Sequence, residues 1–198
     1  MGEADVAAGK KNAATRGARL IFLDESGLML APLVRRTWSP RGQTPIFRQS
    51  GRWREKVSAI AVLALSPRRH RVRLFFDLYP GANVTGPLLV GFLEALLREL
   101  RGPITLIWDR LGVHQSAPVR EFLHRHPRLR VEVLPTYAPE LNPVEYVWAY
   151  SKQNPLGNVA AVSSADLATR ARPKLIRIGR RPGLLRAFLD QSPLFGSK

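Results

Sequence analysis

The sequence contains no cysteine. That absence excludes a disulfide scaffold, a cysteine-bound zinc site and a thiol nucleophile together. No stretch reaches the roughly 18 uncharged apolar residues that a membrane-crossing helix needs. The leading residues, MGEADVAAGKKNAATRGAR, mix both signs of charge and lack an apolar segment, so they do not form a secretory signal. Val6 also departs from the myristoylation pattern, which requires Ser or Thr at that position. Acidic residues are scarce: 15 Asp+Glu stand against 31 Lys+Arg, a formal net charge of +16. A chain this basic commonly neutralises a polyanion, and DNA or RNA is the commonest one. A membrane surface is less well supported, because no basic amphipathic helix with a clean apolar face stands out. Charge alone does not separate nucleic-acid binding from ribosomal or chromatin-like packing.

What is present is a core. The 198 residues are 45% hydrophobic, which suits one folded domain with small appendages and argues against a disordered basic tail. Residues 1–18 are Ala/Gly/Lys-rich without periodicity and read as a flexible lead-in. Leu20–Leu23 is a short apolar run, the pattern of a buried strand, and Asp24-Glu25-Ser26-Gly27 reads as the turn that ends it. Val57–Leu65 and Val72–Leu78 read as two strands of a hairpin. Pro87–Leu100 has helical spacing, with Leu89, Phe92, Leu93, Leu96 and Leu97 on one side. Ile104–Trp108 is another apolar strand, Pro118–His126 a short helix, Val131–Leu134 a short strand, and Asn142 to Gln153 a helix. Two helices follow from Ser163, and residues 170–186 carry seven Lys/Arg and no acid. This alternation predicts a mixed α/β layer architecture. The expected divisions are the lead-in at 1–18, a catalytic unit over 19–162, and basic C-terminal helices at 163–198 packed on the same domain.

Two apolar runs end in an aspartate, Asp24 after LIFL and Asp109 after ITLIW. If the two strands are parallel neighbours, their ends lie about 4.8 Å apart. Carboxylates so placed repel each other and invite a divalent cation. The plainer account is that Asp is common where a strand enters a turn. A third acid, Glu145, falls three residues after Asn142, a good N-cap, with Pro143 at the first helical position. Glu145 is therefore either a capping-box residue that folds back onto the Asn142 amide or a metal-ligating carboxylate on the first helical turn. Val144, Val147 and Trp148 supply the buried face that fixes its direction.

Between Val34 and Lys56, Arg35, Arg36, Arg41, Arg48, Arg52, Arg54 and Lys56 face a single acid, Glu55, with Trp38, Phe47 and Trp53 interleaved. The stretch reads as loop and edge strand. It is a candidate DNA groove, since Arg contacts phosphate and aromatics stack on unpaired bases; the alternative is a solvated loop with buried tryptophans. Arg110 and Lys152 extend the set of candidate DNA contacts.

These residues carry a family resemblance. LIFLDESG resembles the first-aspartate strand of the IS630/Tc1-mariner superfamily of insertion-sequence transposases. Trp108-Asp109 followed by His114 resembles its Asp-Asn-x-x-x-His segment, and TYAPELNPVEYVWAYSK resembles its Tyr-Ser-Pro-x-Leu-Asn-Pro-Ile-Glu-x-x-Trp block. The intervals fit as well, 84 residues between Asp24 and Asp109 and 35 between Asp109 and Glu145. The resemblance runs from about Leu20 to about Leu189, and the last block is its most specific part. It implies an α/β fold with an RNase H-like mixed sheet flanked by helices. Asp24, Asp109 and Glu145 then occupy the catalytic, metal-binding DDE positions, with two Mg2+ (or Mn2+) ions between them. His114 and Asn142 are candidates to orient those ligands.

The implied reaction is metal-dependent DNA cleavage that frees a 3′-OH, followed by attack of that 3′-OH on target DNA. The implied partners are element ends and target DNA, in a dimeric active complex without a membrane, on the bacterial nucleoid in the cytoplasm. Two departures stand out. Arg110 occupies the position where the family usually has Asn; a cation there either contacts phosphate or weakens metal binding by repulsion. Only some 19 residues precede the first strand, where the family carries helix-turn-helix modules, which suggests a catalytic half: a separately encoded second reading frame that works with a helix-turn-helix subunit, a frameshift product or a truncated remnant. Two other functions remain open from the residues: an inactive or domesticated DNA-binding fragment, and an RNase H-like nuclease acting on another nucleic acid.

Overall fold

The computed structural model describes residues 13, 15–31, 34–46 and 55–195. In chain order its regular elements are β1 (Arg19–Met29), β2 (Lys56–Leu65), β3 (Val72–Pro80), α1 (Gly86–Glu99), β4 (Ile104–Trp108), α2 (Ala117–Arg125), β5 (Leu129–Val133), α3 (Pro143–Gln153), α4 (Ser164–Gly179) and α5 (Pro182–Gln191). Short 3-10 turns at Gly112–Gln115 and Pro139–Leu141 precede α2 and α3.

The strands form one mixed sheet in the order β3-β2-β1-β4-β5. β2 pairs antiparallel with both β1 and β3, making the hairpin that the sequence predicts. β4 pairs parallel with β1 and β5. Parallel neighbours need a crossover, and α1 and α2 supply those connections. The apolar residues of β1 and β2 divide by strand parity, because successive side chains point to opposite faces. Leu20, Phe22, Ala59, Ala61 and Leu63 face α3, α4 and α5, packing with Val144, Trp148, Leu175 and Phe188. Ile21, Leu23, Ile60 and Val62 face α1 and α2, packing with Leu89, Leu93, Val119 and Phe122. Every residue from Val57 to Leu65 is buried, which is why this strand is continuously apolar and not alternating.

One local expectation fails. Asp24-Glu25-Ser26-Gly27 is not a turn; β1 runs on through it to Met29. The antiparallel partner decides this, since Asp24, Glu25, Ser26 and Gly27 register against Ala61, Ile60, Ala59 and Ser58 of β2. Only the other neighbour stops early, because β4 ends at Trp108. Polar residues therefore continue the strand where one flank of it opens. Residues 34–46 form no strand, and Trp38 is fully exposed, so the buried alternative for that tryptophan does not hold.

Candidate functional site

The parallel register brings the two aspartates together. Phe22 pairs with Ile107; two residues further along each chain stand Asp24 and Asp109. Parity turns the Asp24 side chain to the face covered by α3, and Asp109, just past the end of β4, lines the same cleft. Asn142 then fixes how α3 arrives. Its side-chain oxygen accepts from the Val144 N–H at 3.2 Å, the expected N-cap bond. Its side-chain amide donates to the Leu23 carbonyl at 3.0 Å and toward Asp24 Oδ1 at 3.4 Å. The Asn142 backbone N–H is taken by the Pro139 carbonyl at 2.9 Å, so no capping box forms and Glu145 does not fold back. Asp24, Asp109 and Glu145, from three distant segments, line one cleft of about 390 Å3 with Arg110, Tyr137 and Asn142.

The electrostatics of this cleft are unusual for so basic a chain. Asp24 is 7% exposed, and its Oδ2 is buried without a hydrogen-bond partner. Burial first, then the negative charges of Glu145, Glu25 and Asp109, push its pKa up to about 8. The Trp148 indole N–H lies near enough to draw that value down, without meeting normal hydrogen-bond geometry. Burial also raises Glu145, with Lys152 drawing it down and Asp109 adding to the rise. Asp109 moves the other way, lowered chiefly by its hydrogen bond from His114. A buried carboxylate oxygen without a partner, in a ring of like charges, is a demand for a proton or a cation. The donors are hard oxygens, which suit Mg2+ or Mn2+. The residues present therefore fit such an ion.

His114 is 5% exposed and lies flat on Trp108, ring centroids 4.1 Å apart and planes 2° apart. Its Nδ1 meets the Asp109 carbonyl at 3.0 Å and Asp109 Oδ1 at 3.2 Å, and its Nε2 meets Glu25 Oε1 at 2.9 Å. Burial pulls its pKa down, but the hydrogen bonds to Asp109 and Glu25 and the Glu25 charge prevail and raise it to about 9. Glu25 is the residue that the sequence reading missed. The signal was available: in an Asp-Glu pair on one strand, the second acid must face away from the first. Glu25, Asp109 and His114 each bring a ligand atom within 4.8 Å of the other two.

The predicted DNA contacts are placed unequally. Arg35, Arg36 and Arg41 are exposed, and the Arg35 backbone is held by Asn158 through bonds of 2.6 and 2.9 Å. Arg110 is exposed at the cleft. Lys56 is half-buried at the start of β2. Lys152 is half-buried too, and its Nζ donates to Ser26 Oγ at 2.7 Å. Arg48, Arg52 and Arg54 lie outside the described residues. In the basic C-terminal stretch, Arg172 pairs with Asp77 at 3.0 Å and Arg170 with Asp166 at 2.8 Å.

A model of the family described as DDE superfamily endonuclease matches residues 19–167. An insertion element IS630 protein of 39 kDa from Shigella sonnei, itself described as uncharacterized, is 28% identical over 131 residues, which cover 65% of this chain. That match covers 36% of the relative, so the chain spans about a third of its length. Among solved structures, the Mos1 mariner paired end complex with Mn aligns with a TM-score of 0.63 at 16% identity, over 98% of this chain and 60% of that one. The catalytic domain of Mos1 mariner transposase aligns with a TM-score of 0.56 at 15% identity, over 98% of this chain and 92% of the domain. These likenesses establish the RNase H-like fold that the sequence motifs imply.

Proposed function

This chain belongs to the DDE superfamily endonuclease family, and we propose that it is the catalytic domain of an IS630/Tc1-mariner-type transposase, with Asp24, Asp109 and Glu145 as its metal-binding catalytic residues. The observation that carries this reading is the convergence of those three acids on one cleft with a buried, unpartnered Asp24 oxygen. The Mos1 paired end complexes are described with Mn and with Mg. By that analogy and by donor chemistry, the three carboxylates would hold Mg2+ or Mn2+, two ions if the pairing of such sites is followed. Bound there, such ions supply Lewis-acid stabilisation of the attacking and leaving oxygens of an in-line displacement.

The chain's own residues do the rest. Asp24 offers its unpartnered Oδ2 from β1, Asp109 its carboxylate from the end of β4, and Glu145 its carboxylate from the first turn of α3. Asn142 orients Asp24 while capping α3. Arg110, exposed at the same cleft, contacts a phosphate of the bound strand. In the first step water displaces one DNA strand at a phosphodiester and leaves a free 3′-OH. In the second, that 3′-OH attacks a phosphodiester of the target DNA and displaces the 3′ oxygen of the target strand. Each step exchanges one P–O bond for another, so no covalent protein intermediate arises. DNA, as element ends and target, is the proposed partner. Two element ends held together favour a dimer in the active complex.

The test is nicking of DNA that carries the element's terminal repeats, in the presence of Mg2+ or Mn2+. Cleavage that needs the metal and vanishes in Asp109→Ala is expected. Equal DNA binding by wild type and variant, with no cutting by either, would overturn the enzymatic reading in favour of a DNA-holding fragment.

A further inference from the structure

We infer that Glu25 is a positioning residue, which acts through His114 to hold the Asp109 carboxylate in its metal-binding orientation. The inference rests on the proposed role of Asp109 and extends it across the sheet. Asp24 and Glu25 are neighbours on β1, so their side chains leave on opposite faces. Asp24 enters the cleft under α3. Glu25 enters the opposite layer, where its side chain is 9% exposed and ends against His114 Nε2 at 2.9 Å.

The imidazole has no freedom to be a casual contact. Trp108 lies parallel to it at 4.1 Å, and its side chain is 2% exposed. Its Nδ1 faces two acceptors, the Asp109 carbonyl at 3.0 Å and Asp109 Oδ1 at 3.2 Å, so it must donate there. The Leu111 backbone N–H donates to the same Oδ1 at 2.9 Å. Both donors thus fall on one carboxylate oxygen, which leaves Asp109 Oδ2 for the cleft. Without Glu25 the ring would still stack but would lose the contact that sets its rotation in the plane of Trp108. Loss of a group that hydrogen-bonds a metal ligand and orients it typically costs about 10- to 100-fold in metal affinity. His114 is such a group for Asp109, and Glu25 holds His114, so loss of Glu25 is expected at the low end of that range.

The experiment measures Mn2+ binding to the full chain by electron paramagnetic resonance, beside Mg2+ titrations of DNA nicking. In Glu25→Ala the Mn2+ dissociation constant is expected to rise about tenfold. Saturating metal should restore most of the nicking rate. Glu25→Gln, which keeps an acceptor for Nε2 and nearly the same shape, should lie closer to wild type and serves where the alanine variant unfolds. Wild-type Mn2+ affinity in a folded Glu25→Ala protein, or a nicking rate lowered equally at every metal concentration in either variant, overturns the inference. Absence of Mn2+ binding by wild type, or binding that survives Asp109→Ala, overturns the underlying metal-site reading instead.

Discussion

The side-chain amide of Asn142 donates to the backbone carbonyl of Leu23 across 3.0 Å, tying the start of α3 to β1 one residue before Asp24. The same side chain accepts from Val144, so one buried residue both starts the helix and docks it. Glu145 reaches the aspartates because of this bond, which together with its cleft and the exposed 34–46 segment gives four expectations.

Asn142→Ala removes the cap and leaves the Leu23 carbonyl short of a donor. A lost cap costs about 1 kcal/mol, and an unsatisfied buried group about 1–3 kcal/mol more. The melting temperature should fall accordingly, and nicking should fall further than stability explains, because Glu145 is no longer held. Thermal unfolding and nicking at saturating metal, measured below the melting transition, check both. A folded variant with full activity would remove Asn142 from the docking role.

Asp24 makes the metal-free protein sensitive to pH. Below its ordinary value of 3.8 the carboxyl is protonated whether folded or unfolded. Between 3.8 and about 8 the unfolded chain has released the proton while the folded chain keeps it, so stability falls as pH rises and levels off above about 8. His114, raised to about 9, adds a loss in the upper part of that range, but it does so in wild type and variant alike. The difference between wild type and Asp24→Asn isolates Asp24. The variant should be the more stable protein at pH 8 and show the shallower slope, while Mg2+ should stabilise only wild type. Parallel slopes in chelator would contradict a buried, proton-holding Asp24.

Arg110→Asn tests the residue that departs from its family's habit. If the guanidinium meets a phosphate, its loss weakens DNA binding about equally across sequences and lowers the slope of log affinity against log salt by about one. Binding isotherms at several salt concentrations read this directly. An unchanged slope would place Arg110 away from the DNA.

Trp38 is fully exposed, so Trp38→Ala should leave the melting temperature of the free protein within the range of about 0.5 kcal/mol expected for surface changes. Affinity for DNA with unpaired bases should fall by about 1–3 kcal/mol if the indole stacks on a base. A pair of measurements, melting and binding, separates the two effects.

Much of the fold was legible as pattern. Val57–Leu65 and Ile104–Trp108 announce buried strands because they have no polar face to spare, and Leu89 to Leu97 announces a helix by its period. The LNPVEYVW block marks Asn142 as a cap and, through the burial of Val144, Val147 and Trp148, fixes which way the first turn of α3 presents Glu145. Composition points toward the proposed partner class, since 31 basic residues against 15 acids favour a polyanion. These are local or additive properties, and a linear chain displays them.

The rest depended on pairing across distance. Asp-Glu-Ser-Gly has the composition of a turn, yet β2 holds it as strand, because backbone hydrogen bonding to a register partner outweighs local preference. Whether Asn142 would pair with Glu145 or with Leu23 was undecided until β1 arrived beside it. Alternation along β1 gives Glu25 the face opposite Asp24, but its partner there, His114, lies 89 residues away and is met only in the folded sheet. Sequence fixes which side chains are available and with what period. Their convergence on one cleft is a property of sheet order and register, which arise only when the strands β1, β2 and β4 meet.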